Sequence, residues 1–467
     1  MFTIDDILRA TGGEITGTGP VAVGGVSTDS RSIGADQLFI PLRGANFDGH
    51  DYIAAALARG VRVLLAESSR SAGIHLPEGT VCIVVNDTLK ALGDLAAFHR
   101  NRFDIPIVGV TGSNGKTTTK EMLAAVLEQT GRGLKTSGNL NNLIGVPQML
   151  FRLTDQDRWA VLEMGMSEPG EIDRLAEMAR PQVGVITNAF PAHLETMGSV
   201  EAVASAKGEL FRRLQQGCVA VYNADDRLIA AQPSPPGVAR LSFGLAGGDV
   251  TAIDIFTEGN AGQKFTLCLP DGNIPVQMQA FGLHNVANAL AASAAAVALG
   301  IDRHTIRDGL QSFSPYDKRF NLQNVNGITL IDDTYNANPA SVEAALVTVR
   351  DLKQGHRAIA VLGDMLELGP GAEAAHVAVG RIAASCVDFV VATGLFAPMV
   401  AEGAVAGGLP AGNVSTADDH AAVIAEVRRL MRSGDYVLVK GSRGMKMDVV
   451  AEQLRSGIAP QPGKGAN

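Results

Sequence analysis

Cysteine is scarce in this chain. Its 467 residues include four, Cys82, Cys218, Cys268 and Cys386. They are too far apart for a zinc site and too few for a disulfide-stapled secreted domain, so core thiols in a reducing compartment are expected. Runs of Lys or Arg are also missing. With 39 basic against 48 acidic residues the net charge is −9, which leaves no electrostatic footprint for nucleic acid or an anionic membrane and favours small-molecule partners. Long apolar runs are absent too. The most membrane-like stretch, Ala289 to Ile301, falls short of the roughly 20 residues that span a bilayer. The start Met1-Phe-Thr-Ile-Asp-Asp carries acid where a signal peptide carries base, so no export is expected and the cytoplasm is the expected compartment.

What is present is enough apolar side chain to build cores: 46% hydrophobic against 19% charged. At roughly 150 residues per domain the length predicts about three domains. Short runs rich in Val and Ile alternate with helical patterns throughout, the signature of α/β architecture with mostly parallel sheets. Val61-Arg-Val-Leu-Leu and Val81-Cys-Ile-Val-Val form an early group of strands. Ile105-Pro-Ile-Val-Gly-Val, Trp159-Ala-Val-Leu-Glu-Met and Val183-Gly-Val-Ile-Thr-Asn form a middle one. Ile328-Thr-Leu-Ile-Asp-Asp, Ala358-Ile-Ala-Val-Leu-Gly, Phe389-Val-Val-Ala-Thr-Gly and Tyr436-Val-Leu-Val-Lys form a late one. Breaks near Asn86 and Ser314-Pro315 divide the chain into residues 1–86, 87–315 and 316–467. Within the second of these, Thr251 to Gln279 reads as a β-hairpin excursion.

The densest chemical signal is Gly109-Val-Thr-Gly-Ser-Asn-Gly-Lys-Thr-Thr-Thr-Lys, between the Ile105 strand and a helix on which Leu123, Val126, Leu127 and Thr130 share a face and Gly131 can end the run. A polyphosphate at that helix N-terminus would be cradled by the loop N–H groups of Gly112, Ser113, Asn114, Gly115, Lys116, Thr117 and Thr118. The Lys116 ammonium would lie on the β/γ oxygens and the Thr117 hydroxyl on Mg²⁺. Val110 stands where the strict eight-residue pattern has its first glycine, so this is a shortened Gly-x-x-Gly-Lys-Thr form. The alternative is an ordinary glycine-rich turn.

A phosphate loop serves many enzymes, so the remaining motifs discriminate. Neither an Asp-x-x-Gly nor an Asn-Lys-x-Asp element occurs, which removes the GTP-switch reading. A small-molecule kinase would leave two further domains surplus. Glu163, at a strand end, is placed for magnesium or simply for solvent. His193, after the next strand, can ligate a metal, orient phosphate or sit on a surface loop. His284, Asn285 and Asn288 open an apolar helix, where amides cap it or read a base edge. Three polar clusters at late strand ends, Asp332-Asp-Thr-Tyr-Asn-Ala-Asn-Pro, Leu362-Gly-Asp-Met-Leu-Glu-Leu-Gly and Lys440-Gly-Ser-Arg-Gly, point to a polar cleft.

Together with Gly138-Asn-Leu-Asn-Asn-Leu-Ile-Gly-Val-Pro, Ala192-His-Leu-Glu and Ala206-Lys-Gly-Glu, these motifs resemble the Mur ligase family over nearly the whole chain. The resemblance implies a small N-terminal α/β domain that binds a UDP-sugar, a central P-loop ATPase domain and a C-terminal Rossmann-like domain. It is closest to the members that join D-alanyl-D-alanine to UDP-N-acetylmuramoyl-tripeptide, and so implies an ATP- and Mg²⁺-dependent amide ligase of peptidoglycan synthesis. A monomer is expected. By resemblance Lys116, Glu163, His193 and Lys207 are catalytic. Thr117, Glu163 and His193 hold magnesium, with Lys207 joining them as a carbamate. The nucleotide is met by the loop, Asn288, Arg319 and Asp333. Ser27-Thr-Asp-Ser-Arg, Leu38-Phe-Ile-Pro-Leu-Arg-Gly and Phe47-Asp-Gly-His resemble the UDP-sugar domain. Substrate contacts are then implied for Ser30, Arg31, Asp48, His50 and Asn142, and for Asn336, Asn338, Lys440, Ser442 and Arg443 along the dipeptide side.

Overall fold

Short aliphatic runs flanked by glycine and polar residues become strands here, and the amphipathic stretches between them become the helices that cover both sheet faces. The structure, a computed structural model, describes residues 2–44, 46–191, 194–315 and 317–457. Its packing separates residues 1–109, 131–166 and 170–182 as one unit from residues 110–130, 167–169 and 183–467 as another.

In the first unit, β1 (Glu14–Gly17), β2 (Gly25–Ser27), β3 (Gln37–Phe39), β4 (Val63–Glu67) and β5 (Val81–Val85) form a sheet in the order β1-β5-β4-β3-β2. All pairs are parallel except β1 with β5. Alternation along β4 and β5 explains their uninterrupted hydrophobicity. Val63, Leu65 and Ile83 face a core shared with Leu92 and Leu95 of α1 (Thr88–Arg100), whereas Leu64, Ala66 and Cys82 face one shared with Ile53 and Ala56. Each such buried aliphatic side chain is worth about 1.5–3 kcal/mol. All four cysteines are free thiols; Cys82 and Cys386 are core residues as expected, but Cys218 and Cys268 are half-buried.

The strand β6 (Ile107–Thr111) starts in this unit and leads into the other, where α2 (Lys116–Glu128) follows the loop. Leu123, Val126 and Leu127 are buried as their spacing requires. The helix ends before Thr130, which is exposed. The chain returns to the first unit as β7 (Leu134–Lys135), α3 (Gly145–Leu150), β8 (Ala160–Glu163) and α4 (Glu171–Ala179), with β8 parallel to β7. Buried Arg100 locks α1 to the end of α4 by donating to the Ala179 carbonyl at 2.8 Å.

The second unit continues with β9 (Val183–Ile186), α5 (Val200–Arg212), β10 (Val219–Asn223) and β11 (Ala239–Phe243), in which β9, β10 and β11 run parallel. The expected hairpin excursion is a three-stranded antiparallel sheet of β12 (Thr251–Thr257), β13 (Gln263–Leu269) and β14 (Gly272–Met278). Next come α6 (Leu283–Ala298) and α7 (Arg303–Ser312). The alanines that made α6 look membrane-like keep it slim enough to be buried almost all round. Among the described residues no helix is long and apolar enough to cross a membrane. On α7, a Cβ at Gly309 would overlap the backbone of Val126, so these two helices cross without a side chain between them. In this way α2 is pinned beneath the loop that precedes it.

The last sheet contains β15 (Asn321–Val325), β16 (Ile328–Asp333), β17 (Ala358–Leu362), β18 (Phe389–Thr393), β19 (Val414–Ala417) and β20 (Tyr436–Lys440), in the order β15-β16-β20-β17-β18-β19. Only β15 is antiparallel to its neighbour. Ala358, Ala360 and Leu362 face one layer with α8 (Pro339–Lys353) and α9 (Ala372–Cys386). Ile359 and Val361 face another with α10 (Asp448–Gly457). This doubly wound layering brings the C-terminal ends of β16, β17 and β20 to one edge, where loops carry polar side chains.

Candidate active site

The turn after β6 depends on two glycines in backbone conformations closed to most residues. At Gly112, φ is +151° and a Cβ would overlap Thr187 Oγ1; at Gly115, φ is +82° and a Cβ would overlap Asn288 Oδ1. Between them the loop is held from the end of β9. The Ser113 N–H donates to the Asn188 carbonyl at 3.0 Å and the Asn114 N–H to Asn188 Oδ1 at 2.8 Å, while Thr187 Oγ1 donates to the Asn114 carbonyl at 2.6 Å. Lys116 folds back over the turn, its Nζ donating to the carbonyls of Gly112 at 2.6 Å and Ser113 at 3.3 Å. That is the posture of a cation waiting beside a helix N-terminus that favours anions. Thr118 lies half-buried in the first turn of α2.

Residues distant in sequence close on this turn within the same unit. Arg319 Nη2 donates to Thr117 Oγ1 at 3.1 Å. Asn114 and Asn338 exchange amide hydrogen bonds of 3.2 and 2.7 Å, and Asn338 also caps α8. Asn288 is buried, donating to Asn285 Oδ1 at 3.1 Å and accepting from Thr119 Oγ1 at 3.4 Å. Its amide packs against the underside of the turn, where Gly115 leaves room for it. Arg319 Nε is buried without a partner, a donor left open beside Thr117, which fits an oxyanionic guest.

The three late clusters converge. Lys440 Nζ donates to Asp333 Oδ2 at 2.6 Å and to the Asn336 carbonyl at 3.0 Å. Asp333 Oδ1 accepts from the Phe320 N–H at 3.2 Å. Ser442 Oγ bonds the Ala337 carbonyl and the Leu366 N–H, and the Arg443 N–H reaches Asn336 Oδ1 at 3.3 Å. Asp364 is committed to the N–H groups of Leu395 and Phe396 at 2.7 and 3.0 Å, so it builds the loop rather than meeting a ligand.

Lys207 of α5 is 3% exposed. Burial, assisted by repulsion from the Lys116 ammonium, pushes its amine well below the ordinary lysine value. In the first unit, Glu163 ends β8 at 2% exposed, its N–H on Thr136 Oγ1 at 2.9 Å and its Oε1 accepting from Asn141 Nδ2 at 2.8 Å. His193 lies outside the described residues. Among the described residues no group of three His, Cys, Asp or Glu side chains forms a ready metal cage.

The remaining first-unit candidates are engaged within the protein. Asn142 Oδ1, just ahead of α3, accepts from the Ile144 and Gly145 N–H groups at 3.2 and 2.9 Å. Arg31 forks onto Asp29 with two contacts of 2.9 Å, and Ser30 is half-buried between them. His50 has both ring nitrogens used: Nε2 accepts from the Glu67 N–H at 3.0 Å, which leaves Nδ1 to donate to Asp48 at 2.6 Å. Desolvation raises the Asp48 carboxyl, but the His50 N–H, the His50 ring and Arg43 together hold it at about 2. Sequence reasoning did not single out Thr187, Asn188, Thr136 or Asn141. Thr187 and Asn188 do follow directly on the Val183 strand, and Asn141 lies within the Gly138 motif.

Three family models match: "Mur ligase family, catalytic domain" over residues 22–100, "Mur ligase middle domain" over 110–296 and "Mur ligase, glutamate ligase domain" over 318–443. The UDP-N-acetylmuramoyl-tripeptide--D-alanyl-D-alanine ligase of Escherichia coli (strain K12) is 37% identical over 460 residues, covering 97% of this chain and 98% of that one. The chain belongs to the Mur ligase family. As in other Mur ligases its architecture is three-domain and α/β. MurF from Acinetobacter baumannii superposes with a TM-score of 0.90 at 33% identity, over 97% of this chain and 99% of that one. MurF from Thermotoga maritima, solved in complex with ADP, gives 0.82 at 27% identity, over 93% and 97%.

Half-buried His284, at the start of α6, makes a pH signature. Burial lowers its imidazole to about 4; Asp333 opposes that shift and Lys440 adds to it. An unfolded imidazole titrates near 6.5. Between those values the unfolded chain binds more protons, so stability falls as pH drops from 6.5 towards 4. Replacing His284 by Gln should flatten that slope by up to about 1.4 kcal/mol per pH unit, read from urea midpoints at pH 7 and 5. Identical slopes would contradict the assignment.

Proposed function

We propose that this Mur ligase joins D-alanyl-D-alanine to UDP-N-acetylmuramoyl-tripeptide at the expense of ATP, as a cytoplasmic monomer making peptidoglycan precursor. Domains at 1–86, 87–315 and 316–467 would bind the UDP-sugar, the nucleotide and the dipeptide side. The observation that carries the reading is the Gly112–Thr118 turn with Arg319 on its threonine hydroxyl: a phosphate cradle with a second cation delivered by the late part of the chain.

A carboxylate is a poor electrophile, and an amine does not displace its oxygen at a useful rate. Transfer of the γ-phosphoryl group from ATP to the tripeptide's terminal carboxylate gives an acyl phosphate and ADP; the free dipeptide amine attacks the acyl carbon and gives up a proton as the C–N bond forms and phosphate leaves. Lys116 and Arg319 would neutralise the phosphoryl oxygens that otherwise repel the incoming carboxylate. Asn288 would meet the adenine and Asp333 the ribose. Ser30, Arg31, Asp48, His50 and Asn142 would serve the UDP-tripeptide. Asn336, Asn338, Lys440, Ser442 and Arg443 would line the amine's approach, fixing its orientation.

Mg²⁺ takes hard oxygen donors, and the Thr117 hydroxyl and Glu163 carboxylate are of that kind; His193 is a third candidate. When bound, the ion would supply charge screening among the phosphates. Lys207 fits only after carbamylation, and a buried amine held towards neutrality is the form that adds CO₂. Full turnover by Lys207→Ala at saturating Mg²⁺ would remove it from the site; a loss of at least tenfold is expected on the scale of one electrostatic group.

ADP release should require all three substrates. With ATP and UDP-tripeptide present, omitting D-alanyl-D-alanine should reduce phosphate release to background. Release at an undiminished rate would mark an uncoupled ATPase instead.

A further inference from the structure

Tyr335 lies inside the Asp333-Thr-Tyr-Asn-Ala-Asn-Pro segment and has no part in the reading above. Its ring carries the Arg319 guanidinium 3.9 Å from the centroid, and the Arg443 guanidinium stands 5.9 Å from the same centroid. Among the described residues neither guanidinium is paired with a carboxylate. Among the described residues Arg319 has one side-chain hydrogen bond, to Thr117 Oγ1, and its buried Nε has no partner. A cation so sparsely bonded is held in place by what lies under it.

The backbone supports the same conclusion. Lys318 and Phe320, on either side of Arg319, have φ of +60° and +47°, unfavourable for side-chain-bearing residues and retained where the surroundings over-determine them. The surroundings here are specific. The Tyr335 N–H donates to the Lys318 carbonyl at 3.1 Å, Lys318 Nζ pairs with Asp448 at 2.8 Å, and the Phe320 N–H donates to Asp333. Both neighbours of Arg319 are therefore anchored, one of them by Tyr335 itself, and the aromatic ring of that residue fixes the guanidinium that the strained turn presents.

We infer that Tyr335 is a positioning residue: its π-face holds the Arg319 guanidinium against Thr117 so that the remaining donors meet the transferring phosphoryl group, and it links that cation to Arg443 on the dipeptide side. The inference rests on the ligase reading for its phosphoryl acceptor, but not for the placement of Arg319. A cation over an aromatic face contributes enough to change binding or rate roughly 3- to 30-fold.

Two measurements separate the cases. Calorimetric titration with a non-hydrolysable ATP analogue, which needs no ligase chemistry, should show affinity reduced roughly 3- to 30-fold in Tyr335→Leu and unchanged in Tyr335→Phe. In turnover assays kcat should fall within the same range for Tyr335→Leu, with the KM for UDP-tripeptide and the thermal midpoint unchanged. In an Arg319→Gln background Tyr335→Leu should add less than about twofold, because the two act as a unit. Equal affinities for the Leu and Phe variants, or a Leu effect undiminished without Arg319, would overturn the inference. If the wild-type protein binds the analogue but never forms the amide, the ligase reading fails, and the titration still decides the role of Tyr335.

Discussion

One donor and one acceptor, Arg319 Nη2 and Thr117 Oγ1 at 3.1 Å, decide what the second unit can do. Thr117 follows the lysine of a phosphate loop, and Arg319 comes from a strained turn some two hundred residues later in the chain. Their contact puts a guanidinium at the mouth of a helix N-terminus whose dipole already favours an anion. Everything around it serves that placement. Gly112 and Gly115 let Thr187 and Asn288 press against the loop, Gly309 lets α7 cross α2 closely, and the Asn114–Asn338 amide pair ties the loop to the first turn of α8.

The phosphate loop was legible because its chemistry is local: glycines with positive φ, a lysine and a hydroxyl at fixed spacing between a strand and a helix. The late strands were legible for a similar reason. Ile328–Asp333 and Tyr436–Lys440 are largely buried on both faces and so read as short apolar runs, Leu330-Ile331 and Val437-Leu438-Val439, that end in polar residues. The strands β1, β2 and β3, of four, three and three residues, are too short to show any period. Thr130 falls on the apolar face by spacing, yet it lies past the point where α2 ends, since spacing sees periodicity and not the helix stop.

Tertiary partners were the illegible part. Nothing in the sequence around Thr187 and Asn188 says that they brace a loop seventy residues earlier, and Asn141 beside Glu163 is one asparagine among several. His50 and Asp48 show the reverse limit. Their motif invites a substrate role but does not tell what the structure adds, that both ring nitrogens of His50 are bonded inside the first unit. Family resemblance assigned roles where physical reasoning about isolated residues favoured capping or solvent over a ligand.

The most direct test is a crystal structure with a non-hydrolysable ATP analogue. Lys116 Nζ should leave the carbonyls of Gly112 and Ser113 for the β- and γ-phosphate oxygens, with Arg319 still at Thr117. A nucleotide bound elsewhere, with Lys116 unmoved over its own loop, would contradict the account.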